Sequence, residues 1–197
     1  MGVAGIVPRD RPGVQSDFDA ALTGVDTTNV VAVPMPCSLA ELFDFAKDRI
    51  GQGVVSAPPE ALPHIHRFGP FDQLEVALQT PRFASFILVD YYASDGNVYH
   101  LDSDYWPGAR FPPGRVLTVG GRYGIGVEVT LVPPPTDELM VVTASAEPLF
   151  PEGRPLQDDP DAYVLDLRSR VAHHLEHGGT VTFLATIVST VDDREAQ

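Results

Sequence analysis

Phe86-Ile87-Leu88-Val89-Asp90-Tyr91-Tyr92, followed by Ser94-Asp95-Gly96-Asn97 and then Val98-Tyr99-His100-Leu101, is the stretch on which the fold turns. The first run is rich in β-formers and apolar on both faces, the pattern of a central strand covered on each side. Asp95-Gly96 supplies the backbone freedom that a tight hairpin needs, so 98–101 is expected to return beside 86–92.

Outward from this hairpin the period of two continues. Leu74, Val76 and Leu78 alternate with Gln73, Glu75 and Ala77 before it. After it come a short strand at 116–119, a Gly120-Gly121 turn, and an alternating run of Ile125, Val127, Val129 and Leu131. Pro133-Pro134-Pro135 stops that run, and Leu139 to Thr143 is the next strand. Asp159-Pro160 opens a helix, because proline is preorganised for the first helical position. Tyr163, Val164, Leu167, Val171 and Leu175 line its inner face up to Gly178-Gly179, which predicts a helix over 160–177. Val181 to Val188 is a last strand, and 191–197 is a charged tail.

Towards the N-terminus, Gly and Pro recur from Gly51 to Pro70 and mark a linker. Before it, Ser38 and Glu41 form a capping-box pattern ahead of Leu39, Leu42, Phe43, Ala46 and Ile50, which predicts a helix over 39–50. Val30, Val31 and Val33 suit a short strand, and 1–28 reads as a loosely docked lead-in. The expected organisation is a lead-in segment at 1–67, a β domain at 68–190 and the tail. The expected fold is mainly β (α+β), an antiparallel β-sandwich of about seven strands with both helices packed or appended.

Totals narrow the function. Acidic residues number 27 against 13 basic in 197 residues, a net charge of −14. A surface this acidic repels phosphate, so neither nucleic acid nor an anionic membrane is expected as partner. No run approaches the ~20 apolar residues that span a bilayer. The single cysteine, Cys37, leaves no disulfide framework and no cysteine-based zinc site. Met1 to Ile6 lacks the pattern of a signal peptide. The expected compartment is cytoplasmic for a complete chain and envelope-facing for a fragment of a larger protein.

The sharpest catalytic motif is His173-His174-Leu175-Glu176-His177, an H-x-x-E-H arrangement that in zinc peptidases places two histidines one helical turn apart with a glutamate as base. At about 100° per residue His173 lies opposite the apolar face of its helix. Near a helix C-terminus histidine is also favourable against the dipole. His173 and His177 therefore stand as an alternative metal pair, Glu176 as the base of an alternative hydrolase, and neither as the leading reading. His64-Ile65-His66 falls in the linker and is expected to be a solvated loop. Asp95, Asp102 and Asp104 lack the closing glutamate of a calcium loop. Gly120 to Gly126 lacks the dinucleotide fingerprint and leads into a strand. Cys37 precedes the helix cap and is expected to pack as a small hydrophobe. No catalytic residue and no cofactor are expected. The remaining candidate is a contact surface on the loop at 104–111, with Tyr105, Trp106, Arg110 and Phe111 as binding residues.

Several ordered motifs point further: Phe71 to Val76, the 86–98 hairpin with its Asp-Gly turn, Phe111-Pro112-Pro113-Gly114 before the strand at 116, and Leu139 to Ser145 followed by Glu147-Pro148-Leu149. Over about 68–189 this pattern resembles the bacterial family called domain of unknown function 4384. The chain departs from it at Leu101 to Tyr105, polar where that family has an apolar-Phe-Pro step. Such domains are joined to kinase, caspase-like or other signalling modules. The resemblance implies an accessory role with a protein partner, and carries over no catalytic residue. The leading expectation is a non-catalytic binding or interaction module; the alternatives are the metal-dependent hydrolase and a structural assembly subunit.

Overall fold

The structure is a computed structural model that describes residues 2–8, 26–33, 35–46, 55–56, 64–102, 109–122, 124–134 and 136–191. Its strands are β1 (Gly2–Pro8), β2 (Asp26–Val33), β3 (Val55–Ser56), β4 (His64–Phe68), β5 (Glu75–Gln79), β6 (Phe86–Tyr92), β7 (Val98–His100), β8 (Val116–Gly120), β9 (Asp137–Ser145), β10 (Gln157–Asp158) and β11 (Val181–Thr190). The helices are α1 (Cys37–Ala46) and α2 (Pro160–Glu176).

The chain is mostly β, and its main sheet has six strands in the order β10-β7-β6-β9-β11-β4. Register decides which residues share a face: Val89 lies opposite Val142 on β9, and Val142 opposite Leu184 on β11. Ile87, Val89, Tyr91, Met140, Val142, Ala144, Leu184 and Val188 thus form one buried face with Val76, Leu78, Leu117 and Val119 of a smaller sheet, β3-β5-β8. The alternate residues Leu88, Tyr92, Leu139, Val141, Phe183 and Ile187 form the other face, covered by Leu39, Leu42 and Ala46 of α1 and Val164, Leu167 and Val171 of α2. A sheet covered on both sides demands strands apolar on both sides, which is what β6 and β9 are. The sheets pack as a sandwich with a helical layer outside, and the described strands close no barrel.

Four expectations need correction. The main sheet is mixed, because β4 pairs in parallel with β11, Ile65 opposite Ile187. His64–Phe68 is accordingly an edge strand and not a loop, with Ile65 packed against the helix-side core. The run 125–131 is not a strand. Its N–H groups at Ile125, Val127 and Leu131 reach three different carbonyls, those of Thr118, Leu101 and Asp72 (2.7, 2.7 and 2.9 Å). Gly126, with φ +89, permits this path: a Cβ there would stand 2.2 Å from the Leu101 oxygen. Finally, the linker separates no cores, since Leu39, Leu42 and Ile65 share one cluster with Leu139 and Phe183.

The helix starts differ in how they are capped. Asp159 caps α2 as expected, accepting the Ala162 N–H at 2.9 Å with Pro160 next in line. α1 begins two residues early, at Cys37, so Ser38 is inside the first turn and is not its N-cap. Its hydroxyl donates to Asp161 at 2.6 Å, and Glu41 pairs with Arg168 at 3.0 Å; the expected capping box becomes a tie between helices. Residues 47–50 of the expected helix lie outside the described residues.

Candidate functional site

Two arrangements on opposite faces of the hairpin concentrate the polar chemistry. On the helix side, Asp90 interrupts the apolar run of β6 and is fully buried. His100 is its cross-strand partner on β7 and donates or accepts at 2.8 Å between Nδ1 and Asp90 Oδ1. Tyr163 descends from α2 and its hydroxyl donates to Asp90 Oδ2 at 2.7 Å. Arg154, from the loop before β10, inserts its guanidinium among them: Nη1 lies 2.5 Å from Asp90 and 2.6 Å from the Tyr163 oxygen, while Nη2 bonds Asp102. Asp102 also accepts the Val89 N–H at 2.8 Å.

Burial pushes the Asp90 carboxyl up, but the Arg154 charge and the His100 and Tyr163 bonds outweigh it and hold the group below its usual range. Asp102 goes the other way, because burial raises it more than Arg154 lowers it, and the Asp90 charge adds to the rise. The Tyr163 hydroxyl is pushed well up by burial. Its ring packs against His100, centroids 4.3 Å apart. The Asp90–His100 pair has the form that orients a catalytic or metal-binding imidazole. Here the imidazole is sealed from solvent, and its Nε2 has no hydrogen-bond partner, the Asp158 carboxylate standing 3.8 Å away. Among the described residues no hydroxyl or thiol nucleophile bonds it, and the other members of the network bond one another. The network therefore ties β6, β7, the 150–156 loop and α2 together.

The opposite face carries a cleft of about 450 Å³. One wall is the hairpin end, with Tyr91, Ala93, Asp95 and Tyr99; the other is the irregular run from Val127 to Val132. Leu101, Leu131 and Leu156 are also among its lining residues and make much of that lining apolar. Glu138, 7% exposed, supplies the buried charge: the Tyr91 hydroxyl donates to one oxygen and the Ser94 N–H to the other at 2.7 Å. Burial, and then the nearby Glu138 charge, drive the Tyr91 hydroxyl up, so it stays a donor. Val132 on that irregular wall is 62% exposed, and Phe71, bonded to the same wall, is 68% exposed. Phe71 takes a left-handed φ of 67° and donates its N–H to the Leu131 carbonyl at 2.7 Å. A non-glycine residue held there stores strain, and such residues gather at functional sites.

The residues picked from the sequence fall elsewhere. Tyr105 and Trp106 lie outside the described residues, as does Asp104. Arg110 is exposed, whereas Phe111 is buried in the sheet-side core and exchanges both backbone bonds with Ser85 (3.0 and 2.8 Å). The Phe111 ring is thus a core contact and is closed to a partner. The His173 and His177 rings meet tilted, centroids 4.3 Å apart, at the exposed end of α2, and His177 Nδ1 is engaged with the His173 carbonyl at 2.8 Å. Among the described residues no three His, Cys, Asp or Glu side chains converge on a metal position. Asp95 serves the hairpin turn and the Tyr99 hydroxyl, so it does not converge with Asp102. Cys37 is exposed at the start of α1, contrary to the expected packing. No described helix is long and apolar enough to cross a membrane.

In comparisons with known proteins, no family model matches the chain and no curated protein does.

Sequence reasoning missed both arrangements. The one local signal was Asp90 inside an apolar strand, since a charge at a buried position needs a partner.

Proposed function

We propose that the chain is a non-catalytic binding module whose ligand site is the cleft between the β6–β7 hairpin and residues 127–132. The observation that carries this reading is the cleft itself, open, largely apolar in its lining, with one buried carboxylate and exposed apolar groups at and beside it. Ligand sites are typically apolar concavities of this size with few convergent polar groups. The buried charged network supports the non-catalytic part, because its bonds are made within the protein. The turn and strand motifs at about 68–189 suggest the wider setting, an accessory or regulatory domain of a bacterial signalling or envelope-associated protein with a protein partner.

Amide NMR with a neutral apolar probe, indole, tests the site. Saturable shifts confined to Ala93, Ser94, Leu101, Val129 and Thr130 are expected. Shifts scattered over the molecule, or none at millimolar indole, would remove the cleft as the binding site.

A further inference from the structure

We propose that the cleft receives a basic-apolar segment of a partner protein, an aliphatic or aromatic side chain against its apolar lining and a neighbouring lysine or arginine head at Glu138. The inference rests on the cleft being the binding site and adds the chemistry of its occupant.

Glu138 carries the argument. A buried carboxylate is costly unless paired, and on the other face of the same hairpin the fold meets that need by inserting Arg154 between Asp90 and Asp102. Glu138 is as buried as Asp102, 7% against 8% exposed, yet its bonds come from two neutral donors, and among the described residues it forms no ion pair. It also faces a space that opens to solvent, which Asp90 does not. Asp95 and Glu128 add two carboxylates to the walls, and among the described residues no lysine, arginine or histidine lines the cleft. Tyr91 and Tyr99 also line the cleft, and aromatic side chains attract cations. A net charge of −14 steers a basic partner towards the molecule and anionic lipid away from it. Apolar exposure continues at Val132 on the wall and past the cleft to Phe71, a footprint wider than a small amine fills and suited to a chain.

The test titrates the whole chain, observed by amide NMR, with acetylated and amidated Leu-Lys-Leu, Leu-Gln-Leu and Leu-Glu-Leu, and with the free amine 4-phenylbutylamine. Leu-Lys-Leu is expected to move the Ser94 amide, whose bond ends on Glu138, and to bind at least tenfold tighter than Leu-Glu-Leu. Glu138→Gln should bring the lysine and glutamine peptides to equal affinity. Should that variant not fold, the exposed Glu128→Gln should still reduce the lysine preference two- to threefold. Indole binding with no charge preference among the peptides would overturn this inference and leave the cleft as a site. Silence from indole and all three peptides would overturn the cleft as well. Tighter binding of 4-phenylbutylamine than of Leu-Lys-Leu would reassign the site to a small amine and overturn the protein partner.

Discussion

Asp90 shows what a single residue decides in this molecule. Its carboxylate lies at the centre of the main sheet with no exposure, and only the guanidinium of Arg154, the His100 ring and the Tyr163 hydroxyl make an ionised group tolerable there. Asp90→Asn keeps the shape but removes the charge that faces Arg154. Breaking one side of a buried pair costs about 3–5 kcal/mol, and a shift in the urea midpoint worth less than about 1 kcal/mol would sink the assignment. The pH dependence follows from the direction of the shifts. Asp90 is lowered in the folded state, so its contribution is present above the ordinary carboxylate range and is lost as pH falls through the folded value, in the acid below about pH 4. Asp102 is raised, and its contribution runs oppositely, present in acid and lost as pH rises through the folded value. Unfolding free energies measured from pH 3 to 7 should therefore fall less steeply towards acid in Asp90→Asn than in the parent. Equal slopes would mean that Asp90 does not titrate below its ordinary range.

At the scale of elements, the irregular run 124–131 matters most, because it forms one wall of the cleft. Gly126→Ala forces a left-handed φ on a side chain and drives its Cβ into the Leu101 carbonyl, 2.2 Å away. The strain alone costs about 1–3 kcal/mol, and the collision adds to it by breaking the Val127–Leu101 bond that seats the wall. Gly96 has nearly the same φ, +87, but no atom within 4 Å of its would-be Cβ. Gly96→Ala is therefore expected to lower the melting temperature clearly less than Gly126→Ala, and equal losses would show that the close approach at Leu101 has no weight. This run also marks where reading the sequence stops working. β6, β7, β9, β11 and α2 were legible because period, turn and cap agree with one another at each of them. Residues 125–131 alternate like a strand, yet glycines bend the backbone between three carbonyl partners, and alternation does not report pairing. β4 hid in a proline-rich stretch, since its partner on β11 lies about 120 residues away and makes the strand from outside. Arg154 gave no sign at all. It stands in a Gly-Arg-Pro turn, and its carboxylates come from 52 and 64 residues earlier.

For the whole molecule the question is whether the helical layer is an appendage or part of one cooperative unit. Leu39, Leu42 and Ala46 are buried in the cluster that holds Leu139, Val141 and Phe183 from the middle of the main sheet. α1 is also tied to α2 by Ser38–Asp161 and Glu41–Arg168, although these exposed pairs contribute little, at most about 1 kcal/mol each. Burial must then supply the coupling. Leu42 is fully buried in a cluster that holds both sheet residues and residues of α2, and its replacement by alanine empties part of that shared core. Leu42→Ala is expected to cost about 2–5 kcal/mol. If α1 belongs to the core, that loss appears in native-state hydrogen exchange at the slowest amides of β9 and β11, which open only with the whole unit. If α1 were separable, those amides would keep their protection while α1 exchanged faster. A common loss would place the sandwich and its helices in one folding unit, so that the cleft is carried by a scaffold reaching well before residue 68.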